Sequence, residues 1–243
     1  MVMDPALPEI DETLLATTRY LQALTVLDDE SLAAPSVLPG WSRAHVVAHV
    51  SRNADAFAGV LASAGAGEPA AMYTAQEVRD LDIEETVRRY DRGALLADAH
   101  ASADRFAKQA RGYDGAPDAT YTRTRRADDT ESFPVTTVGP RRRAEVEIHH
   151  ADLDLGYEPS GWPPDFSTGM VAKRQQELTA LADACPSMVL CATDVDAVWP
   201  VGVGPGPEIH GTAGDLAYWL VGRGGGRRLT CTSGELPALG RWR

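Results

Sequence analysis

Long hydrophobic runs are missing from this sequence of 243 residues, although 44% of its residues are hydrophobic. No segment approaches the roughly 18–20 consecutive apolar residues of a membrane-spanning helix. The first residues, MVMDPALPEIDETL, are acidic and lack the order of a secretion signal, in which positive charge precedes an apolar stretch. We therefore expect a globular cytoplasmic protein without a membrane partner.

Positive charge is also scarce. The chain has 23 Lys and Arg residues against 35 Asp and Glu residues, which gives a formal net charge of −12. This balance excludes nucleic acid or an anionic membrane as the main partner, because both would repel the protein. Because the protein as a whole is acidic, it would need an arginine facing the pocket to bind an anionic substrate.

Cysteine occurs only three times, at Cys185, Cys191 and Cys231, all in the last quarter of the chain. The odd number and the lack of CxxC spacing argue against a disulfide framework or a zinc knuckle. We expect reduced, buried thiols. Thiol chemistry at a site elsewhere in the chain would need a thiol supplied from outside.

Two segments place possible metal ligands one helical turn apart. RRRAEVEIHHADLDLG carries Glu145 and His149, and GWSRAHVVAHVSRNADAF carries His45 and His49. Side chains at i and i+4 share one face of a helix. Two imidazoles and one carboxylate suit zinc and leave a coordination position open for substrate or water. Each pair is also compatible with a solvated helix face. Spacing favours His49 over His45 as a ligand only because His49 lies at the inner edge of the apolar stripe.

The periodicity of apolar residues predicts an α+β protein with a helical N-terminal part. Helices are expected at about 8–27, 42–62 and 83–110, with a fourth from residue 136 or 137 that contains Glu145, and a short one capped by Thr74 that presents Arg79. After the proline-rich YEPSGWPPD, helical patterns at 168–184 and 212–223 alternate with strand patterns in SMVLCAT, DAVWPVGV, PEIHGT and RRLTCTSG. We predict a helical bundle at 1–156, a linker at 157–165, and a small α+β domain at 166–243 with a mostly antiparallel sheet.

Several other features favour ordinary structural roles. The glycine-rich GRGGGRR follows a helix and lacks the GK[ST] of a phosphate loop, so a helix C-cap and turn are expected there. We expect Arg141–Arg143 on a solvated face, and His150 either at the surface or behind the metal ligands. His100 and His210 are isolated in the sequence, and no chemistry is assigned to them.

Taken together, these motifs resemble the mycothiol-dependent maleylpyruvate isomerases, whose N-terminal part is a DinB-like four-helix bundle. The resemblance covers nearly the whole chain and is carried, in this order, by GWSRAHVVAHVSRNA, MYTAQEVRDLDIE, RRRAEVEIHHADLDLG, VGRGGG and TSGELP. It implies zinc ligands at His49, Glu145 and His149, so that His49 is preferred to His45, and functional arginines at Arg79 and Arg223.

The activity implied by the resemblance is zinc- and mycothiol-dependent isomerisation of maleylpyruvate to fumarylpyruvate in aromatic catabolism. A thiolate adds to the conjugated double bond, the resulting single bond rotates, and the thiolate leaves. The arginines would pair with substrate carboxylates and stabilise the enolate, and we expect the C-terminal domain to close the pocket by supplying Arg223. The expected partners are a small anionic substrate and a low-molecular-weight thiol, in a monomer or small homo-oligomer.

Two alternatives stay open. The first is a metal-dependent mycothiol S-transferase, in which the same type of bundle joins the thiol permanently to an electrophile. The second is a non-catalytic bundle whose histidines are structural or lie at the surface.

Overall fold

The computed structural model describes residues 7–73, 75–126, 129–181 and 185–239. The chain divides into two compact units, 1–155 and 156–243. None of the helices within the described ranges combines the length and apolar character that crossing a bilayer requires. Helices and small sheets are both present, so the predicted α+β class is confirmed.

Helices make up most of the first unit. Their bounds are α1 Ile10–Leu24, α2 Asp29–Ala33, α3 Arg43–Gly65, α4 Gln76–Arg89, α5 Arg92–Arg111 and α6 Val138–Asp152. The short strand β1 Ala70–Ala71 pairs in parallel with β2 Thr120–Arg126, which forms an antiparallel hairpin with β3 Asp129–Pro134.

The core of this unit lies between α1, α3, α5 and α6, in which α1 and α3 each pack against both α5 and α6. One apolar cluster includes Phe57, Phe106 and Tyr121, and another includes Tyr20 and Val46. Polar contacts also join α1 to α6, since Thr13 donates to the carbonyl of Gly139 at 3.0 Å and Arg19 pairs with the buried Glu147 at 2.7 Å. These contacts fix the position of α6 against α1.

The prediction of one long helix over 83–110 is wrong. Helix α4 ends at Arg89, and Tyr90 is extended, with ψ near 126°. Asp91 then accepts a hydrogen bond from the backbone N–H of Ala94 at 2.8 Å, which caps the start of α5. The predicted cap of the preceding helix, Thr74, lies outside the described residues, whereas Arg79 lies on α4 as expected.

The expected solvated face is wrong for Arg142 and Arg143, and His150 does not lie at the surface. His150, Arg142 and Arg143 are at most 4% exposed. The His150 ring meets the edge of Tyr20, Arg142 donates to the carbonyl of Val50 at 2.9 Å, and Arg143 donates to Glu9 at 3.2 Å. Helix α6 is buried on nearly every side, so a single apolar stripe could not identify its inner face.

The second unit is a four-stranded sheet with two helices. Its elements are α7 Pro164–Thr179, β4 Met188–Ala192, β5 Val198–Val201, β6 Glu208–Gly211, α8 Ala213–Leu220 and β7 Thr230–Cys231. The strand order is β5-β4-β6-β7, with the central β4/β6 pair parallel and both outer pairs antiparallel. The glycines after α8 have positive φ, from Gly222 (75°) to Gly226 (69°), in agreement with a helix end and turn.

Candidate metal centre and cleft

Three side chains from two helices converge in the first unit. His49 projects from α3, and Glu145 and His149 project from one face of α6. The Nε2 atom of His49 lies 3.0 Å from Oε2 of Glu145, and that of His149 lies 3.5 Å from the same oxygen. One ligand atom from each residue lies within 4.8 Å of the others. In a tetrahedral zinc site with zinc–ligand distances near 2 Å, neighbouring ligand atoms are about 3.3 Å apart. The separations here lie on either side of that value.

Burial and an outer carboxylate hold the two imidazoles in position. His49 and His149 are 5% and 8% exposed, and their rings meet edge to face with centroids 4.5 Å apart. The Nδ1 atom of His149 lies 2.9 Å from Oδ2 of the fully buried Asp152. A carboxylate behind a ligand histidine is a common feature of protein metal sites, because it fixes the orientation of the ring. The residues therefore fit a divalent metal in donor type, spacing and support.

The charges of these groups depend on one another. Burial lowers the pKa of His49 to about 4, helped by the neighbouring His149. Burial also acts against charge on His149, but the carboxylates of Asp152 and Glu145 outweigh it and raise its pKa to about 9. Burial opposes ionisation of Glu145 as well, yet hydrogen bonds from the two histidines bring the pKa of this carboxyl well below its usual value. At neutral pH, Glu145 is thus a carboxylate between a neutral His49 and a protonated His149, and a bound metal would take the place of the His149 proton.

The alternative histidine, His45, has another role. Its Nδ1 atom lies 2.7 Å from Oγ of Ser42 and 3.2 Å from the backbone nitrogen of the same residue, so that it forms a capping box at the start of α3. Its Nε2 atom lies 3.6 Å from Glu84. The geometry brings His49, and not His45, together with Glu145 and His149. Their role as metal ligands stays a prediction.

The candidate metal centre adjoins a cleft that is open to solvent and contains about 410 Å³ of empty space, the open part included. Its lining residues are His49, Asn53, Met72, Tyr73, Gln76, Arg79, Arg123, Thr124 and Glu145. The guanidinium groups of Arg79 and Arg123 therefore line the same cleft as His49 and Glu145. The two guanidinium groups suit this cleft to a small anionic ligand.

Several lining residues were not found by sequence reasoning. Arg123 lies on β2, pairs with Glu131 at 2.8 Å, and was not among the candidate residues drawn from the sequence. The alternation in TYTRTRR indicates a strand that presents Arg123 on the same side as the buried Tyr121, and this was the available signal. Tyr73 and Asn53 lie within the quoted motifs, but nothing in their spacing marks them as cleft residues.

A buried arginine lies beneath the site. Arg142 donates from Nη1 to Oδ1 of the cleft residue Asn53 at 2.7 Å. Burial lowers the pKa of Arg142 to about 10, which still leaves the guanidinium charged at neutral pH. This positive charge offsets the partly buried negative charge of Glu145, which acts on it through space.

Arg79 and Arg223 have different surroundings. Arg79 lines the cleft and pairs with Asp80 at 2.6 Å. Arg223 belongs to the second unit, is partly buried, and donates its backbone N–H to the carbonyl of Tyr218 at 3.0 Å, just after α8. Their functional roles stay predictions.

Comparison with known proteins supports the resemblance seen in the motifs. The family profile described as the mycothiol maleylpyruvate isomerase N-terminal domain matches residues 14–154, more than half of the chain. Among curated proteins, no significant match is found. A crystal structure of the mycothiol-dependent maleylpyruvate isomerase superposes with a TM-score of 0.84 and 24% identity, covering 96% of this chain and 97% of the other.

A second crystal structure, of the mycothiol-dependent maleylpyruvate isomerase with a histidine-to-alanine substitution, also has a TM-score of 0.84, with 25% identity and the same coverage. The structural matches extend the shared fold to nearly the full length of both chains, beyond the matched N-terminal domain. The chain therefore belongs to the family of mycothiol-dependent maleylpyruvate isomerases, which are enzymes.

Proposed function

We propose that this enzyme converts maleylpyruvate to fumarylpyruvate, with mycothiol as the thiol and a divalent metal, preferably zinc, held by His49, Glu145 and His149. The observation that carries the proposal is the convergence of these three residues beside a cleft that His49, Glu145 and Arg79 line. Family membership supports the choice of thiol and reaction.

The donor set supports zinc among the divalent metals. Two imidazoles and one carboxylate, with room for a further ligand, are typical of catalytic zinc sites. When bound, zinc would keep a coordinated thiol in the thiolate form at neutral pH. The task of the protein residues is then to hold the ligands in position, with Asp152 orienting His149.

Arg79 and Arg123 support the choice of an anionic substrate. Maleylpyruvate carries two carboxylates, and guanidinium groups bind carboxylates through paired hydrogen bonds. Arg79 would also stabilise the negative oxygen that develops when a thiolate adds to the conjugated bond. Tyr73 is available as a second donor, since burial raises the pKa of its hydroxyl and keeps it protonated.

The remaining parts of the proposal depend on the resemblance. Arg223 is proposed as a second functional arginine. The DinB-like four-helix arrangement is supported by the mutual packing of α1, α3, α5 and α6. A cytoplasmic location, a role in aromatic catabolism, and a monomeric or small homo-oligomeric state stay predictions.

An assay with maleylpyruvate, with and without mycothiol, tests the proposal. We expect fumarylpyruvate to form only when the thiol is present, and the concentration of free thiol to stay constant over many turnovers. Loss of one thiol per substrate consumed would favour the S-transferase alternative. No reaction by the metal-loaded enzyme with mycothiol present would contradict the proposal.

A further inference from the structure

The sheet of the second unit brings together three residues that lie far apart in the sequence. Strands β4 and β6 are its central, parallel strands, and their register places Cys191 beside His210 and Val189 beside Glu208. Because side chains alternate along a strand, Cys191, His210 and Glu208 project from the same face. The opposite face carries the buried Leu190 and Ile209.

The donor atoms of these residues are close enough to share one ion. One ligand atom from each of Cys191, Glu208 and His210 lies within 4.8 Å of the others. Nε2 of His210 lies 3.1 Å from Oε2 of Glu208. Within the described residues, this group and the one around Glu145 are the two that meet this criterion.

The chemistry of the group differs from that of an ordinary acidic surface cluster. A thiolate and an imidazole are ligands for zinc-like ions, whereas calcium and magnesium prefer oxygen ligands alone. The thiolate and the carboxylate together would balance the charge of a divalent cation. Both strands are paired on each side, so the backbone positions of the three ligands are fixed before an ion arrives.

We propose that Cys191, Glu208 and His210 form a second divalent-metal site, selective for zinc-like ions and independent of the proposed isomerase reaction. On binding, the metal–sulfur bond forms as the thiol proton of Cys191 leaves to solvent. Cys191 and His210 are half-buried and Glu208 is exposed, so solvent reaches the site and a fourth coordination position stays open to water. This exposure makes its affinity lower than that of a buried site.

Cobalt(II) titration of the full-length, metal-free protein tests the site directly. A cobalt–thiolate bond produces a near-ultraviolet charge-transfer absorption, which the site of His49, Glu145 and His149 cannot produce because it contains no sulfur. We expect the absorption in the unmodified protein and its loss in Cys191→Ser. For His210→Ala, the cobalt concentration at half-saturation should rise by at least roughly 10–100-fold. That is the effect of removing a residue that only supports a ligand, and removing a ligand itself should cost no less.

Cys231→Ser is the matched control. Cys231 lies on β7 opposite Ile209, so its side chain projects from the other face of the sheet, and the variant should keep the absorption. The proposal would be overturned by an absorption that survives in Cys191→Ser, or by its absence from the unmodified protein at millimolar cobalt.

Alkylation of the unmodified protein provides a second test that does not depend on the folding of a variant. With peptide mass spectrometry as the readout, zinc should slow iodoacetamide labelling of Cys191 and leave Cys231 unaffected. Magnesium should protect neither thiol. Equal labelling of Cys191 with and without zinc would also overturn the proposal.

Discussion

At the scale of single residues, the choice between two histidines on α3 can be tested through metal content. Because His49 faces Glu145 and His149 whereas His45 caps the helix, His49→Ala should purify with little metal and His45→Ala with a full complement. The measurement is the metal content of both purified variants by elemental analysis.

Glu145→Ala extends this test to the other helix and should match His49→Ala. Unchanged metal content in both variants would remove the proposed centre and leave the non-catalytic alternative. Circular dichroism of each variant confirms that a loss of metal does not reflect unfolding.

The outer carboxylate gives a second prediction. Asp152 lies behind His149 and is fully buried, so Asp152→Asn should leave the ligands in place and orient the ring less well. We expect metal affinity to fall by about 10–100-fold, measured by competition with a chelator of known affinity. Asp154→Asn, an exposed change two residues later, should leave the affinity unaltered. Equal affinities for the two variants would show that Asp152 does not position the ligand.

The cleft arginine gives a third prediction. Arg79→Ala should keep its metal and lose turnover by roughly 10²–10³-fold, the usual effect of removing a donor that stabilises developing negative charge. Arg88→Ala is the matched control, because Arg88 lies on the same helix, is exposed, and pairs with Glu85. The initial rate of fumarylpyruvate formation is the measurement, and full activity in Arg79→Ala would exclude this residue from the mechanism.

At the scale of elements, the approach of α6 to the start of α1 depends on a glycine. A Cβ atom at Gly139 would lie 2.0 Å from the carbonyl oxygen of Pro8, a backbone atom that cannot rotate away. Gly139→Ala should therefore lower the free energy of unfolding by about 1–3 kcal/mol, measured by urea denaturation.

The control for this prediction is Gly59→Ala on α3, where an added Cβ meets nothing within 4 Å. That change should raise the free energy of unfolding by about 0.5–1 kcal/mol, because glycine in a helix interior loses more backbone entropy than alanine. A stable Gly139→Ala variant would mean that the two helices can separate at little cost.

Element boundaries show where local patterns are sufficient. The second helix was predicted to start at about residue 42, and Ser42 occupies the N-cap position of α3 in a capping box. The break between α4 and α5 was missed, although Asp91 is a good N-cap residue, because apolar residues continue on both sides of it. The periodicity of apolar residues indicates which face of a helix is buried. It does not reveal a short break between two helices that are each partly buried.

At the scale of the whole molecule, Arg223 tests whether the second unit takes part in the reaction. The residue follows α8, in a different unit from the proposed metal ligands. We expect Arg223→Ala to retain metal and to lose turnover by roughly 10²–10³-fold, as for Arg79. Arg227→Ala, at an exposed position in the same loop, should retain both. Normal kinetics in Arg223→Ala would confine the reaction to residues 1–155.

The sequence by itself determined the α+β class, the family and the spacing that puts Glu145 and His149 on one helix face, because these depend on local periodicity and ordered motifs. Tertiary structure decided which residues of different elements meet. It placed His49 against Glu145, buried His150 and Arg142, brought Arg123 into the cleft, and set His210 beside Cys191. Such contacts depend on helix packing and strand register, which join residues that no local pattern connects.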